Sequence, residues 1–516
     1  MSTYDLIVIG GGVNGAGIAR DAAGRGLKVL LLEKGDLAEA TSSRSTKLFH
    51  GGLRYLEFFK FRLVRESLME REVLWRAMPH IAWPLRFVLP LDPAMRFPED
   101  TPAARLLGMV MPWLKGRRPN WMIRLGLFAY DQMGGRKDLP ATRSIDLKKD
   151  SAGQGLAPRI TRAFEYSDVW VDDARLVLLN ARDAALRGAT IRTRSEALGA
   201  RRMRNGWDVT FRSADGTTET AHASLLVNAA GPWVASLIED VIHTTPPAQI
   251  RLVRGSHIIT RRLFPHDRAY FFQGEDGRII FAIPYEGDFT LIGTTDVEHG
   301  LGEPPVISEA ERDYLIAFAN RYLRTPISAE DIVWTYSGVR PLYDDGASSA
   351  TAATRDYVLH LDRGQSGAEA PVLSVFGGKI TTYRRLAEAA LAKLGSADAR
   401  LASGTWTRGA TLPGGDFAPE TLPDLTAQLR ASHPWLSVKG AARLIRAYGT
   451  EARQVLGSDP GQIFGADLSE AELRWMRDKE WARTAEDALW RRSKLGLHLT
   501  AEETAAVTRW FEEAQT

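Results

Sequence analysis

The chain contains no cysteine among its 516 residues. That excludes disulfides, thiolate nucleophiles, iron–sulfur ligation and cysteine-based zinc sites. It also lacks any apolar run near the roughly 18 residues that a membrane-spanning helix needs. The opening MSTYDLIVIG has no basic segment ahead of its apolar run, so it does not read as a secretory signal, and a cytoplasmic location is expected. Charge of one sign is scarce in the balance: a net +3 gives no electrostatic footprint for nucleic acid, and no such partner is expected. No repeat or low-complexity tract is present, and no metal-ligand cluster is expected. The hydrophobic fraction of 44% and charged fraction of 25% are those of an ordinary globular protein.

The strongest positive signal is YDLIVIGGGVNGAGIARDAAGRGLKVLLLEKGD, residues 4–36. A β-branched apolar run leads into Gly10, Gly12 and Gly15, spaced G-x-G-x-x-G around Asn14, and then into a small-residue helix. A second strand follows and closes on Glu33 and Lys34. Glycines let the backbone approach a pyrophosphate at a helix N-terminus. Glu33 lies 21 residues after Gly12, where an acid accepts from ribose hydroxyls and disfavours a 2′-phosphate, so NADP is not expected. Together these elements predict a dinucleotide site.

The next stretch favours FAD over NAD. Thr41, Ser42, Ser45, Thr46 and Lys47 offer donors for a second passage along a diphosphate and ribityl chain. Gly51 and Gly52 have no side chain to keep a flat ring away, and His50, Arg54 and Tyr55 flank them. SLLVNAAGPWVASL (224–237), with Ala230 and Gly231, reads as a strand returning to the same place. VLSVFGGKITTYRRLAEAALAKLG (372–395), with Gly378 and Lys379, reads as a third, with Thr381 and Thr382 as N-caps. That helix's positive end suits the pyrimidine side of a flavin.

These motifs, with TKLFHGGLRYLE, FRLVRESLMEREVL, YSDVWVDDARLV, GSHII, IGTTD, DIVWTYSGVRPL and TRDY, resemble those of the FAD-dependent respiratory glycerol-3-phosphate dehydrogenases. The resemblance implies the amino-acid-oxidase-like α/β flavoprotein fold and a Rossmann-like FAD-binding domain. It implies oxidation of glycerol 3-phosphate to dihydroxyacetone phosphate, with electrons passing through FAD to a membrane quinone. By the same resemblance Arg340 and Arg355 enter the substrate site with Arg54, Tyr55 and Lys379, arginine's fork being suited to phosphate. His50 and His257 are both candidates for the base that takes the hydroxyl proton. Three alternatives stay open: an oxidase using oxygen, an amino-acid-oxidase-like enzyme, and a non-catalytic flavin-containing subunit. The arginine cluster speaks against the second.

The pattern divides the chain into a discontinuous FAD domain (1–80, 155–240 and 335–395), an insertion (81–154), an antiparallel-sheet cap over the substrate (241–334) and a C-terminal helical domain (400–516). The helix expected at 61–78 carries Arg and Glu residues that read as a solvated face. Residues 101–130 contain no acid, but Arg105, Lys115, Arg117, Arg118 and Arg124 interleave with Trp and Leu. That composition predicts an interfacial segment on an anionic membrane surface, and so peripheral attachment. A homodimer stands as a candidate assembly.

Overall fold

The computed structural model describes residues 2–96, 101–110, 116, 118–135, 138–247, 250–344, 356–364, 367, 369–402 and 404–514. Two sheets organise it. The first is ordered Val358–Asp362, Val372–Phe376, Thr218–Asn228, Ser2–Ile9, Val29–Leu32 and Thr190–Arg192. Its central pairings, from Val372–Phe376 through to Thr190–Arg192, are all parallel. Successive side chains of a strand point to opposite faces, and here both faces are covered. Leu6 and Val8 pack with the helices Val13–Gly24, Asp173–Leu186 and Tyr383–Leu394. Ile7 and Ile9 join Trp207, Val209 and Phe211 from a hairpin on the other face. That hairpin joins Glu196–Met203 to Gly206–Arg212 through a two-residue turn at Arg204-Asn205, one position before the Asn205-Gly206 pair that the residue types suggest.

The second sheet runs Val297–Glu298, Ile250–Arg261, Phe289–Gly293, Ile279–Tyr285, Ala269–Gln273, Ala82–Pro90, Arg162–Val171 and Leu48–Phe49. Ile332–Tyr343 pairs with Ile250–Arg261, and Arg143–Asp146 with Arg162–Val171. All these pairings are antiparallel except that of Ala269–Gln273 with Ala82–Pro90, so the cap sheet is mixed. Five of its strands, Leu48–Phe49, Ala82–Pro90, Arg143–Asp146, Arg162–Val171 and Ile332–Tyr343, lie at least partly in segments that the sequence pattern grouped with the insertion or the FAD domain. An apolar run announces a buried strand but not which of two sheets receives it. The edge strand Leu48–Phe49 delivers the chain directly to His50.

The C-terminal helices Leu422–Ser432, Val438–Tyr448, Glu470–Glu480 and Ala501–Glu513 enclose their own apolar core. They dock on the first domain through buried ion pairs. Arg175 donates to Glu480 at 2.8 Å. Asp36, just beyond Glu33, accepts from Arg491 at 2.6 Å and from Arg492 at 2.7 Å. The helix Phe61–Ala77 forms as expected, but part of its charge faces inward. Glu70 pairs with Arg384 at 2.6 Å and Arg71 with Asp168 at 2.7 Å, all four side chains buried. The reading of a wholly solvated face is thus corrected, because each buried charge finds an opposite partner on a distant element.

Candidate active site

Three turns converge on the N-terminus of the helix Val13–Gly24. Gly10 has φ +114°, and a Cβ on it would lie 2.4 Å from the Ala229 carbonyl oxygen. A Cβ on Gly15 would lie 1.9 Å from the Gly10 carbonyl oxygen. Both glycines are therefore demanded by close backbone approach. Ala229 N–H donates to Ile9 at 2.8 Å, which brings Ala230 and Gly231 beside the first turn. Asn14 Nδ2 donates to the Gly377 carbonyl at 3.1 Å, which brings Gly378 there too.

This corner fits a dinucleotide. Gly12 occupies the N-cap with no side chain of its own to cap the helix, and no acid sits in the first turn, as a helix end that takes a pyrophosphate requires. Asn14 Oδ1 is buried without a hydrogen-bond partner, an acceptor that a bound ligand's donor would satisfy. Glu33 accepts from Gly11 N–H at 2.6 Å and Gly35 N–H at 2.8 Å, so it also braces the glycine loop. Burial pushes its carboxyl above the usual range, while those two N–H groups pull it down. Lys34 stands over the Trp233 ring at 4.0 Å, linking the second strand's end to the NAAGPW turn.

The donors expected along the diphosphate are partly committed elsewhere. Ser42 Oγ accepts from Val13 N–H at 3.0 Å, and Thr41 donates to the Val339 carbonyl at 2.6 Å. Ser45 donates through its N–H and hydroxyl to Asp173, at 3.0 and 2.7 Å. Lys47 is buried and donates to Asp173 at 2.6 Å. Ser45 and Lys47 are thus tied to Asp173, the first residue of a helix, and Lys47 donates also to the Ser43 carbonyl at 3.0 Å. They shape the loop that carries His50.

Gly51 and Gly52 also acquire a local reason. A Cβ on Gly51 would meet Leu68 at 2.7 Å and Tyr130 at 2.8 Å. Gly52 has φ +75°, and a Cβ there would lie 2.3 Å from the Tyr55 ring. Protein packing, and not only room for a flat ring, requires them. His50 N–H donates to Thr381 Oγ1 at 3.4 Å, and its ring meets Phe281 edge-on at 6.2 Å. Lys379 stands over the Tyr55 ring at 4.1 Å. The sequence segments 50–55 and 379–381 are thereby brought together. The helix cap differs from expectation: Thr382 occupies the N-cap of Tyr383–Leu394 without a side-chain cap bond, and Thr381 instead serves His50.

His257 lies in the cap sheet, buried, stacked on Tyr336 at 4.6 Å. Its Nε2 is 3.0 Å from Thr46 Oγ1. Burial, with Arg340 and Lys47 nearby, holds its pKa well below the usual imidazole range. Arg340 pairs with Asp296 and donates to Thr294 Oγ1 at 3.1 Å, so its charge is already half of an ion pair. Asp296 was not foreseen as a partner, although it ends the IGTTD motif. Arg54 is half-buried, and its charge has no carboxylate partner among the described residues; its nearest aromatic ring is Phe58 at 5.9 Å. Arg355 lies outside the described residues.

Comparison with known proteins agrees with this construction. Residues 5–384 match the family of FAD dependent oxidoreductases, and residues 405–515 match the C-terminal domain of alpha-glycerophosphate oxidase. The chain is 50% identical to a D-erythritol 1-phosphate dehydrogenase of Brucella abortus, over 99% of this chain and 98% of that one. It is 47% identical to the aerobic glycerol-3-phosphate dehydrogenase of Escherichia coli, with the same coverage. The crystal structure of a Bacillus halodurans glycerol-3-phosphate dehydrogenase complexed with FAD superposes with a TM-score of 0.70 at 25% identity, covering 99% of this chain and 94% of that one. A glycine corner built for a dinucleotide, a cap sheet that ends at His50 and a docked helical domain are thus joined in one chain, which belongs to the FAD-dependent glycerol-3-phosphate dehydrogenase family.

Proposed function

We propose that the protein oxidises the secondary alcohol of a small phosphorylated polyol, sn-glycerol 3-phosphate in the first instance, to the corresponding ketone. The observation that carries this is Arg54. It is a half-buried guanidinium without a carboxylate partner among the described residues, four positions after His50 and next to Tyr55 with its overlying Lys379. A phosphate dianion supplies the missing counter-charge, and charge-assisted contacts of this kind fix orientation as well as affinity. Bound FAD supplies a two-electron hydride acceptor. His50 takes the hydroxyl proton as the carbinol hydrogen departs, and Arg340, steadied by Asp296, completes the cationic side of the pocket; Arg355, outside the described residues, is proposed as a further phosphate ligand on the resemblance alone. The FAD itself is held by the corner made of Gly10, Gly12, Asn14, Gly15, Glu33, Ala230, Gly231 and Gly378.

D-erythritol 1-phosphate is the second substrate reading, favoured by the relative of that name at 50% identity. One experiment separates the two. The purified flavoprotein is titrated anaerobically with each phosphate, and bleaching of the flavin bands is followed. Glycerol 3-phosphate should bleach it at the lower concentration; preferential bleaching by erythritol 1-phosphate transfers the assignment, and bleaching by neither removes it.

A membrane quinone is proposed as the electron acceptor. Trp121, Leu125 and Phe128 form one exposed stripe of the helix Asn120–Met133, and Leu106 and Met109 of the helix Pro102–Val110 are exposed too. The spacing of four and three residues places them on one helical face. No described helix is long and apolar enough to cross a membrane. A stripe of this kind, with exposed Arg124 on the same helix, suits the surface of an anionic bilayer. Residues 111–115 and 117 of the same segment, with Trp113, Leu114, Lys115 and Arg117, lie outside the described residues. Oxygen uptake by the pure protein without quinone would favour an oxidase instead.

A further inference from the structure

Beneath His50, three elements bring polar side chains into one buried chain of hydrogen bonds. Gly51 N–H donates to the Tyr130 hydroxyl oxygen at 2.8 Å. That hydroxyl lies 2.9 and 3.0 Å from the two oxygens of Asp168, to which it donates. Arg71 donates to Asp168 at 2.7 Å and to the Ser167 carbonyl at 2.9 Å. Tyr130 comes from the helix Asn120–Met133, Asp168 from the strand Arg162–Val171, and Arg71 from the helix Phe61–Ala77. Their exposures are 1%, 3% and 4%.

Packing alone does not call for this arrangement. A buried ion pair is commonly no more stabilising than apolar side chains of the same volume. What these groups add is direction. A tyrosine proton aimed at a carboxylate leaves the oxygen's lone pairs to receive an N–H, and the carboxylate's charge strengthens that acceptance. The site beside Gly51 is already filled by Leu68 and Tyr130, so the peptide cannot turn over without displacing them. In a trans peptide the His50 carbonyl points opposite to the Gly51 N–H, so fixing one fixes the other. On the other side of the same α-carbon, His50 N–H is held by Thr381 at 3.4 Å. The backbone of His50 is thus anchored from both flanks.

We propose that Tyr130, held by Asp168 and Arg71, is a positioning residue for His50 in the oxidation of the phosphorylated polyol. It fixes the peptide that follows His50, and through it the direction of the imidazole and of the His50 carbonyl. This rests on the reading above that His50 faces the reacting alcohol.

The test uses the FAD-loaded full chain carrying Tyr130→Phe, which keeps the ring and removes the hydroxyl. Flavin reduction at saturating glycerol 3-phosphate should slow about tenfold to a hundredfold, the scale of a misplaced reacting group. The substrate concentration for half-saturation should change little. Amide exchange in the peptide spanning residues 48–58 should accelerate in the variant, with or without FAD. Asp168→Asn keeps an acceptor for Tyr130 and should fall between the variant and the parent. A wild-type reduction rate in Tyr130→Phe overturns the proposal, as does a loss confined to melting temperature. If Tyr130→Phe does not fold, a wild-type rate in Asp168→Asn overturns it equally. His50→Gln separates the layers. If it too reduces flavin normally, the placement of His50 at the alcohol fails; if it is slow while Tyr130→Phe is normal, only the positioning role fails.

Discussion

Replacing Lys47 by Met tests whether the loop 41–50 is held by its own ion pair or by the cofactor. Lys47 and Asp173 are 2.6 Å apart with side-chain exposures of 2% and 0%. Asp173 also accepts from the Ser45 N–H and hydroxyl. Lys47→Met leaves that carboxylate buried with its hydrogen bonds but without its counter-charge. Breaking one side of a buried pair costs about 3–5 kcal/mol. With an unfolding entropy of about 2.1 cal/mol/K per residue, this chain of 516 residues has roughly 1.1 kcal/mol/K if it melts as one unit. The melting temperature should therefore fall by about 3–5 °C, and further if a smaller unit melts. The assay is thermal unfolding of the FAD-stripped protein, where no cofactor contact contributes. Asp173→Asn in the Lys47→Met background removes the stranded charge and should recover part of the loss, a coupling on the order of 1–3 kcal/mol. Refutation would take this form: an unchanged melting temperature in the stripped protein, weakened FAD retention, and no recovery on adding Asp173→Asn. Lys47 would then be a cofactor ligand, as its place in the sequence first suggests.

Arg54→Met should lower kcat/KM for glycerol 3-phosphate by roughly ten- to several-hundredfold, since a charged contact is worth about 1.5–3 kcal/mol. FAD should stay bound, and near-normal kinetics would remove Arg54 from the phosphate site. Trp121→Ser with Phe128→Ser should abolish co-sedimentation with anionic liposomes while sparing reduction of a soluble dye; unchanged sedimentation would assign the stripe to another role. Burial alone would raise the Glu311 carboxyl, but hydrogen bonds from the Ser308 N–H, Thr295, Arg254 and Ser256 outweigh it and hold the pKa at about 2, against 4.5 when free. Its stabilising contribution is then complete above pH 4.5 and is lost as pH falls towards 2. Glu311→Gln should lower the melting temperature at neutral pH and flatten its decline between about pH 5 and pH 3; a parallel decline in both proteins would mean that other carboxylates govern acid lability.

The glycine corner was legible because its constraints are local. Gly10 and Gly15 are where backbone meets backbone, and the strand before them and acid after them sit at fixed distances along the chain. The Asp172 cap on Asp173–Leu186 is local in the same way, an N-cap carboxylate accepting from the N–H three residues on. What escaped was long-range pairing. Arg71 and Asp168 are 97 positions apart, and Lys47 and Asp173 are 126 apart. Nothing in a helical pattern tells whether an arginine between leucines meets water or a carboxylate from another element. The strand Arg162–Val171 shows the difficulty: nine consecutive buried residues include Glu165, Ser167 and Asp168, and each polar one is accepted only because Arg86, Arg143 or Arg71 arrives from elsewhere.

That pattern bears on how the site is built. Several segments read as ligand contacts are held from behind by a polar group on a different element. Asp173 holds Ser45 and Lys47, Tyr130 holds Gly51, Thr381 holds His50, and Asp296 holds Arg340. Asp36, three positions after the brace at Glu33 and next to its Gly35 partner, is gripped by Arg491 and Arg492 of the C-terminal domain. Hydrogen-bonded and ionic contacts suit this task because they fix direction, where apolar packing of the same volume fixes only occupancy. Groups that must hold a phosphate, a hydroxyl and a ring in register need direction at every one of these positions. The C-terminal helices, which bring no catalytic motif of their own, therefore join the active site through the loop they clamp.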